Sequence, residues 1–295
     1  MTNPKSKIQN PKLIFFLLLL LSGCAPPGIK KDWTVQQYYD YGMRRMEKKD
    51  CLRAIEAFQI VTLNFSGSDL VDDAQFQLGE AYFCTQEHPL AMVAYRKLLR
   101  DFPQSPYADR AQYKLALAIF KQSSPVALTQ DKTYEAIREL QIFLDEYPES
   151  PMASEARTLL QQCYDKLAEK DYKIGHLYFR MGDWEAARLY FGEMIAEYPE
   201  SRWTSHAQYE IAESYAKQGQ WEKALVEFQT FLQRYPNHEL MIKAKQRVEA
   251  AKQALTRQDN VTTDQANKTR SSPKDDRTRP ATNAQPSSSG VPKER

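Results

Sequence analysis

Glycine and histidine are scarce in this chain, and their scarcity excludes several kinds of active site. The 295 residues include 10 glycines and 4 histidines. No Gly-rich phosphate loop follows a strand pattern, and the Gly-x-Ser-x-Gly elbow of serine hydrolases is absent. The histidines are scattered at positions 88, 176, 206 and 238. The sequence therefore predicts a protein that is not an enzyme and that holds no cofactor.

A metal site and a nucleic-acid partner are not expected either. Cys84 and His88 have the spacing of two ligands on one helix, but Pro89 indicates a turn there, and two further ligands are missing. The 40 basic and 38 acidic residues give a net charge of +2. This balance provides no basic surface for binding nucleic acid.

Long apolar runs are also lacking, apart from one near the start of the chain. Leu13 to Leu21 follow a stretch that carries three lysines and no acid. This is the pattern of a secretory signal, and the run is too short to span a bilayer as a lasting helix. The ending Leu21-Ser22-Gly23-Cys24 resembles the bacterial lipobox, which implies cleavage after residue 23, acylation of Cys24 and, because Ala25 follows, sorting to the outer membrane. Residues 1–23 are thus predicted to be a signal peptide and residues 24–33 a lipidated tether.

A repeat with a basic period of 37 residues organises the rest of the chain. Each copy has a Gly or Ala, then an Ala, then a closing aromatic, and the step from the Ala to the aromatic is always 11. Proline follows that aromatic in four copies. The copies are Gly42–Ala54–Phe65, Gly79–Ala91–Phe102, Ala116–Ala136–Tyr147, Gly175–Ala187–Tyr198 and Ala212–Ala224–Tyr235.

Such a unit resembles the tetratricopeptide repeat (TPR), in which small residues let two antiparallel helices approach closely. The resemblance implies an all-α TPR solenoid of five helix–turn–helix units over residues 34–256. An ordinary helical bundle with coincidental spacing is the alternative.

Two copies depart from the basic period. The third has an enlarged loop, residues 123–132, which is either a contact site or tolerated length. The fourth contains fourteen extra residues, close to four full helical turns, and this predicts one long helix from about Pro151 to Met181. An amphipathic helix from about His238 to Thr256 is expected to cap the array, and residues 257–295, which lack aromatics, are expected to be disordered.

The cysteines of the exported domain predict one disulfide. Cys51 begins the second helix of the first copy, and Cys84 ends the first helix of the second copy. Antiparallel stacking brings those two helix ends to the same edge, so a Cys51–Cys84 bridge is expected. Cys163, on the long helix, is expected to be a buried free thiol.

Two aromatic rows accompany the small residues of the first helix in each unit. One row stands three positions before the Gly or Ala landmark and is aromatic in all five copies. The other stands four positions after it and is aromatic in three, with Met46 in the first copy and Ala216 in the fifth. The rings either line a peptide groove or pack between helices; the sequence leaves both open. The groove candidates are Tyr39, Met46, Phe76, Phe83, Tyr113 and Phe120, and the partner-contact candidates in the later copies are Tyr172, Phe179, Arg188, Tyr190 and Tyr209.

The fourth copy carries the most specific family resemblance. The run LAEKDYKIGHLYFRMGDWEAARLYFGEMIAEYPES, residues 167–201, together with the lipobox and five repeats, resembles the BamD family of outer-membrane TPR lipoproteins. The chain departs from that family at Tyr190, where members often have an arginine; Arg188 is near in sequence but on another helix face.

The resemblance implies a scaffold on the periplasmic face of the outer membrane, within the β-barrel assembly (BAM) complex. Its later repeats would bind the POTRA region of BamA and other BAM lipoproteins. Its early repeats would take up aromatic-rich C-terminal signals of unfolded outer-membrane proteins. A TPR adaptor for other envelope machinery, of the Tol-Pal or peptidoglycan type, is the alternative.

Overall fold

The computed structural model describes residues 28–270, and side chains as far as residue 265. The predicted signal peptide, Cys24 and the last 25 residues lie outside this range. Every regular element within it is a helix. The helices are α1 (Val35–Glu47), α2 (Cys51–Asn64), α3 (Val71–Cys84), α4 (His88–Asp101), α5 (Ala108–Lys121), α6 (Asp131–Glu146), α7 (Ala153–Met181), α8 (Trp184–Glu197), α9 (Thr204–Lys217), α10 (Trp221–Arg234) and α11 (Met241–Arg270).

Local sequence signals mark where these helices begin and end. Thr34 caps α1 in a capping box, in which its hydroxyl accepts the Gln37 backbone N–H while the Gln37 side chain accepts the Thr34 N–H. The aromatics Tyr147, Tyr198 and Tyr235 are the C-caps of α6, α8 and α10, and a proline follows each of them. Proline holds the residue before it out of the α region, so each helix stops at the aromatic.

The chain pairs its helices as α1/α2, α3/α4, α5/α6, α7/α8 and α9/α10, the five helix–turn–helix units of a TPR fold. The landmark glycine of the first helix faces a ring on the second helix in three pairs. A Cβ on Gly42, Gly79 or Gly175 would lie 2.4 to 2.6 Å from the nearest ring atom of Phe58, Tyr95 or Phe191. The small landmark residue is therefore required by a ring packed directly against the helix backbone.

The two irregular copies differ from the others in one helix and one loop. The fourth copy contains the predicted long helix, and the third contains the predicted enlarged loop. The long helix α7 spans Ala153–Met181, close to the predicted 151–181. The enlarged loop before α6 wraps around the buried side chain of Gln130, whose amide donates to the carbonyl oxygens of Pro125 (2.9 Å) and Leu128 (3.1 Å). The inserted length is thus held by its own hydrogen bonds.

The chain divides into two compact units between Asp171 and Tyr172, inside α7. The core of the first unit includes a cluster around Phe58, Val61 and Leu78, against which Ile29 and Trp33 pack. The predicted tether is therefore partly folded from residue 29 onward. The core of the second unit is built on Phe228, Phe231 and the α11 residues Ala244 and Val248.

Helix α11 differs from the prediction, because it continues to Arg270 rather than ending near Thr256. The side chains after Leu255 are exposed as far as residue 265, so no core holds this extension. Its sequence is free of glycine and proline until Pro273, the two residues that disfavour a helix most strongly. The prediction of disorder from residue 257 onward was therefore wrong for residues 257–270, which are helical although their side chains as far as residue 265 bury no face.

Candidate partner-binding surfaces

The first aromatic row packs between helices in every helix pair. Each ring lies beside a buried ring on the second helix of its own pair, at centroid distances of 5.6 to 6.1 Å. Four of the five rings remain partly exposed. The ring pairs are Tyr39–Phe58, Phe76–Tyr95, Tyr113–Phe143, Tyr172–Phe191 and Tyr209–Phe228.

Phe76 is the exception to partial exposure, and the structure corrects its assignment as a groove residue. Its side chain is fully buried. The ring of Tyr107 stacks on it at 4.8 Å, and the Arg110 guanidinium lies 4.9 Å from its centroid. Tyr107 is itself held by a hydrogen bond to Asp73, which with burial raises its pKa to about 12. A ligand would have to displace this covering layer to reach Phe76.

In the first compact unit, the rings of the second aromatic row, Phe83 and Phe120, are partly exposed, and a lysine lies beside each of them. Lys114 Nζ lies 5.2 Å from the Phe83 ring, and Lys166 Nζ lies 5.5 Å from the Phe120 ring. Glu80 accepts hydrogen bonds from Lys114 Nζ (2.9 Å) and from the Tyr95 hydroxyl (2.6 Å). Met46 packs against the first core cluster. We call Tyr39, Phe83, Tyr113, Phe120, Arg110, Lys114 and Lys166 the ring-and-cation surface.

Sequence reasoning missed Lys114 and Lys166 in this surface. Lys114 lies next to Tyr113, and Lys166 lies in the inserted part of α7. Each reaches a ring on a helix more than 30 residues away in the chain, and the repeat spacing alone does not predict such a reach. The sequence offered a signal for Lys114, because a basic residue directly follows the ring position Tyr113. It offered no comparable signal for Lys166.

In the second unit, Tyr172, Phe179 and Tyr209 come together and line one cleft of about 300 Å³ with His206 and Leu240. Two carboxylates and Lys217 form its polar wall, and each carboxylate is already hydrogen bonded. Glu210 accepts from the Tyr172 hydroxyl (2.7 Å) and contacts His176 Nδ1 (2.9 Å). Glu213 accepts from the Tyr209 hydroxyl (2.8 Å) and from the guanidinium of Arg247. Burial, reinforced by these carboxylates, raises the pKa of Tyr172 and raises that of Tyr209 to about 12.

Arg188 and Tyr190 do not line that cleft. Arg188 donates to Ser214 Oγ (3.1 Å) and Gln218 Oε1 (2.8 Å), and its guanidinium lies 4.3 Å from the Tyr215 ring. Tyr190 stacks on Tyr178 at 5.1 Å. The predicted partner-contact residues therefore form two separate groups.

Exposed aliphatic residues adjoin Tyr178 and Tyr190 along α7 and α8, and sequence reasoning did not single them out. Leu177, Met181 and Leu189 are 54%, 69% and 60% exposed. Met181 lies one helical turn beyond Leu177 and Tyr178, so its side chain is a surface neighbour of each of them on α7. We call these three residues with Tyr178 and Tyr190 the α7–α8 patch.

A disulfide joins Cys51 and Cys84, whose α-carbons are 6.2 Å apart. Cys163 is a buried free thiol, and burial raises its pKa to about 12. Cys24, the predicted acylation site, lies outside the described residues. Among residues 28–270, no group of three or more histidine, cysteine or carboxylate side chains is placed to hold a metal ion. No helix in that range is long and apolar enough to cross a membrane.

Comparison with known proteins identifies relatives along most of the chain. The outer membrane protein assembly factor BamD of Neisseria gonorrhoeae is 24% identical over 209 residues, covering 64% of this chain and 77% of the relative. BamD of Caulobacter vibrioides is 25% identical over 191 residues, covering 63% and 62%. Among solved structures, a TPR repeats protein from Bacteroides fragilis aligns at 13% identity over 74% of this chain and 98% of that chain, with a TM-score of 0.43.

A family model described as an outer membrane lipoprotein, YfiO, matches residues 31–187 and 179–269. Its coverage includes all five helix pairs. The resemblance to BamD proteins that residues 167–201 carry is thereby confirmed. The chain belongs to the YfiO family of outer membrane lipoproteins, which includes the BamD assembly factors.

Proposed function

We propose that this protein is a non-enzymatic scaffold of the BAM complex, which assembles β-barrel proteins into the outer membrane. Membership of the YfiO family and the BamD relatives support this assignment. In this proposal residues 1–23 are removed, acyl chains on Cys24 anchor the protein, and the folded body lies on the periplasmic face. The protein acts by holding its partners in position.

The ring-and-cation surface is the proposed site for unfolded outer-membrane proteins. The observation that carries this part is the pairing of partly exposed rings with cations, Lys114 over Phe83 and Lys166 over Phe120. A peptide that ends in aromatic residues offers rings to pack beside Phe83 and Phe120. Its carbonyl groups and terminal carboxylate can accept from the ammonium groups. An extended C-terminal segment of an unfolded β-barrel protein has this chemistry.

The α7–α8 patch is the proposed contact for the POTRA region of BamA. Its exposed aliphatic side chains and its stacked tyrosines resemble the apolar centre of a protein interface. Arg188 lies near it on α8 but is engaged by Ser214 and Gln218. We therefore assign the patch a mainly apolar contact, in which Tyr190 takes the place of the arginine common in the family.

Fluorescence anisotropy with a labelled peptide from the C-terminus of a β-barrel protein tests the first site. Phe83→Ala and Phe120→Ala should each weaken binding roughly fivefold, as expected for loss of about 1 kcal/mol of ring contact. Tyr134→Ala is the control, because Tyr134 is also an exposed ring but lies on α6. Equal affinity for all variants would contradict the site.

Capture of BamA tests the second site. Leu189→Ser and Tyr190→Ala should reduce recovery of the POTRA region by the full-length protein from solubilised membranes. Val226→Ser is the matched control, because Val226 is 58% exposed and lies on α10. Undiminished recovery with both patch variants would remove the α7–α8 patch from the proposal.

A further inference from the structure

The folded body begins very close to the proposed acylation site. The Tyr38 hydroxyl donates to the Lys30 carbonyl oxygen (2.7 Å), and the Trp33 ring packs 5.6 Å from Tyr38. Ile29 already contacts the first core cluster. From Cys24 to Ile29 the chain has five steps, which span about 18 Å at most when extended. The first helix pair is therefore confined to the neighbourhood of the membrane that holds the acyl chains.

The contacts of Tyr38 show which part of this pair the tether reaches. The Tyr38 ring lies 5.9 Å from that of Phe65, the residue after α2. Lys30, bound to the Tyr38 hydroxyl, is thus near the C-terminal end of α2. Leu63 stands two residues before Phe65, and its side chain is 71% exposed.

Leu63 belongs to a shallow apolar groove between α2 and α4. The groove, about 180 Å³ in volume, is also lined by Leu90 and Val93 of α4, which are 45% and 63% exposed. Tyr82 closes it, and its hydroxyl accepts from Gln59 Nε2 (2.6 Å). Adjoining aliphatic side chains exposed to this degree indicate a surface that meets an apolar partner.

The charges around the groove suit a phospholipid surface. Lys97 lines it, and Lys30 and Lys31 of the tether are exposed. Lysines next to a membrane are attracted to anionic headgroups. The acid of α2, Glu56, lies farther along the helix, about two turns before Leu63. Asp32 in the tether and Asp69 in the link after α2 are also exposed, so the apolar groove, rather than net charge, is the main attraction to lipid.

From the tether length, the exposed groove and these lysines, we propose that the groove of Leu63, Leu90 and Val93 rests on the lipid bilayer that anchors Cys24. This inference relies on the acylation of Cys24 in the proposed function. Side chains of this kind enter the boundary between headgroups and acyl chains to a depth of about 5–10 Å. The contact would fix the orientation of the first two helix pairs against the membrane.

Single fluorescent labels on the full-length mature lipoprotein test the contact directly. Leu63→Cys and Val93→Cys each introduce one accessible thiol, since Cys51 and Cys84 are bridged and Cys163 is buried. The proteins are labelled with an environment-sensitive dye and placed in vesicles of phosphatidylethanolamine and phosphatidylglycerol. Both labels should show a blue shift and quenching by nitroxide-bearing lipids. A label at Val226→Cys, a site on α10 that is 58% exposed, should show neither.

Vesicle flotation separates the possible failures. If the protein floats with the vesicles while both labels stay as in water, the groove contact is wrong and the anchor stands. If the protein does not float, the anchor and the contact are both wrong. Labels that shift only when another envelope protein is added would likewise overturn the lipid contact and assign the groove to that protein.

Discussion

The ring of Tyr95 lies against the backbone of Gly79, so close that a Cβ at Gly79 would stand 2.4 Å from Tyr95 Cε1. Tyr95 is fully buried, and its hydroxyl donates to Glu80 (2.6 Å), which fixes the ring in place. The same arrangement occurs at Gly42 with Phe58 and at Gly175 with Phe191. It is the contact that sets the distance between the two helices of a unit.

Gly79→Ala should destabilise the protein even though alanine favours helix. Overpacking costs about 1–3 kcal/mol, and the gain in helix propensity offsets up to about 1 kcal/mol, so a net loss of up to about 2 kcal/mol is expected. Urea unfolding measures it. Gly192→Ala is the control, because a Cβ at Gly192 on α8 meets nothing within 4 Å and should stabilise slightly. Equal effects of the two substitutions would contradict the packing argument.

The periodic residues predicted much of this fold because each has a physical task in every copy. Gly79 and its equivalents mark the close approach, and the aromatic-proline pairs mark the helix ends. The absence of glycine and proline between residues 152 and 174 predicted the long helix. These features depend on contacts within one helix pair, which a repeat spacing encodes.

Contacts made by residues outside the periodic positions were harder to predict. Phe76 occupies a row position like Tyr39, yet it is buried because Tyr107, in the link to the next pair, covers it. Lys166 reaches Phe120 from the inserted part of α7, where no equivalent residue exists in the other copies. Whether a ring is buried or exposed thus depends on its neighbours in space, and the repeat spacing in the sequence does not identify those neighbours.

Removal of the Cys51–Cys84 bridge should lower stability under oxidising conditions. The bridge joins residues 33 apart, and a loop of that size corresponds to about 3–4 kcal/mol in the loop-entropy model. The double variant Cys51→Ser/Cys84→Ser should unfold at a lower urea concentration than the parent. Reductant should shift the parent toward the variant and leave the variant unchanged. A parent insensitive to reductant at its unfolding midpoint would contradict a stabilising bridge.

Two histidines should make stability depend on pH. Burial lowers the pKa of His88 and His238 below the usual 6.5, and His206 lowers that of His238 further. As the pH falls, the unfolded chain therefore binds protons before the folded chain does. The contribution of these histidines to the free energy of unfolding is complete above about pH 6.5, and it decreases as the pH falls from there toward the folded pKa values. The urea concentration at the unfolding midpoint should decrease when the pH is lowered from 7.5 to 5.

His238→Asn provides the control for that pH dependence. The Leu240 backbone N–H donates to His238 Nδ1 (3.2 Å), and an asparagine oxygen can accept the same bond without titrating. This variant, combined with His88→Gln, should have a flatter pH profile than the parent. An unchanged slope in the double variant would show that other groups produce it.

The ion pair of Glu213 and Arg247 should be important for the second unit. Glu213 is 7% exposed, and Arg247 of α11 donates two hydrogen bonds to it (2.5 and 2.7 Å). Arg247→Met keeps the aliphatic stem but leaves the carboxylate without its cation. Charged hydrogen bonds contribute about 1.5–3 kcal/mol, so a loss of about 2 kcal/mol in the free energy of unfolding is expected.

A second substitution distinguishes this charge effect from lost packing. Glu213→Gln in the Arg247→Met background replaces the buried charge by an amide and should restore part of the stability, since an uncompensated buried charge is the main cost. The exposed pair Glu249–Lys252 on the same helix is the control. Lys252→Met should change stability by less than about 0.5 kcal/mol. If Glu213→Gln gave no recovery, the loss in Arg247→Met would come from packing of the arginine stem rather than from its charge.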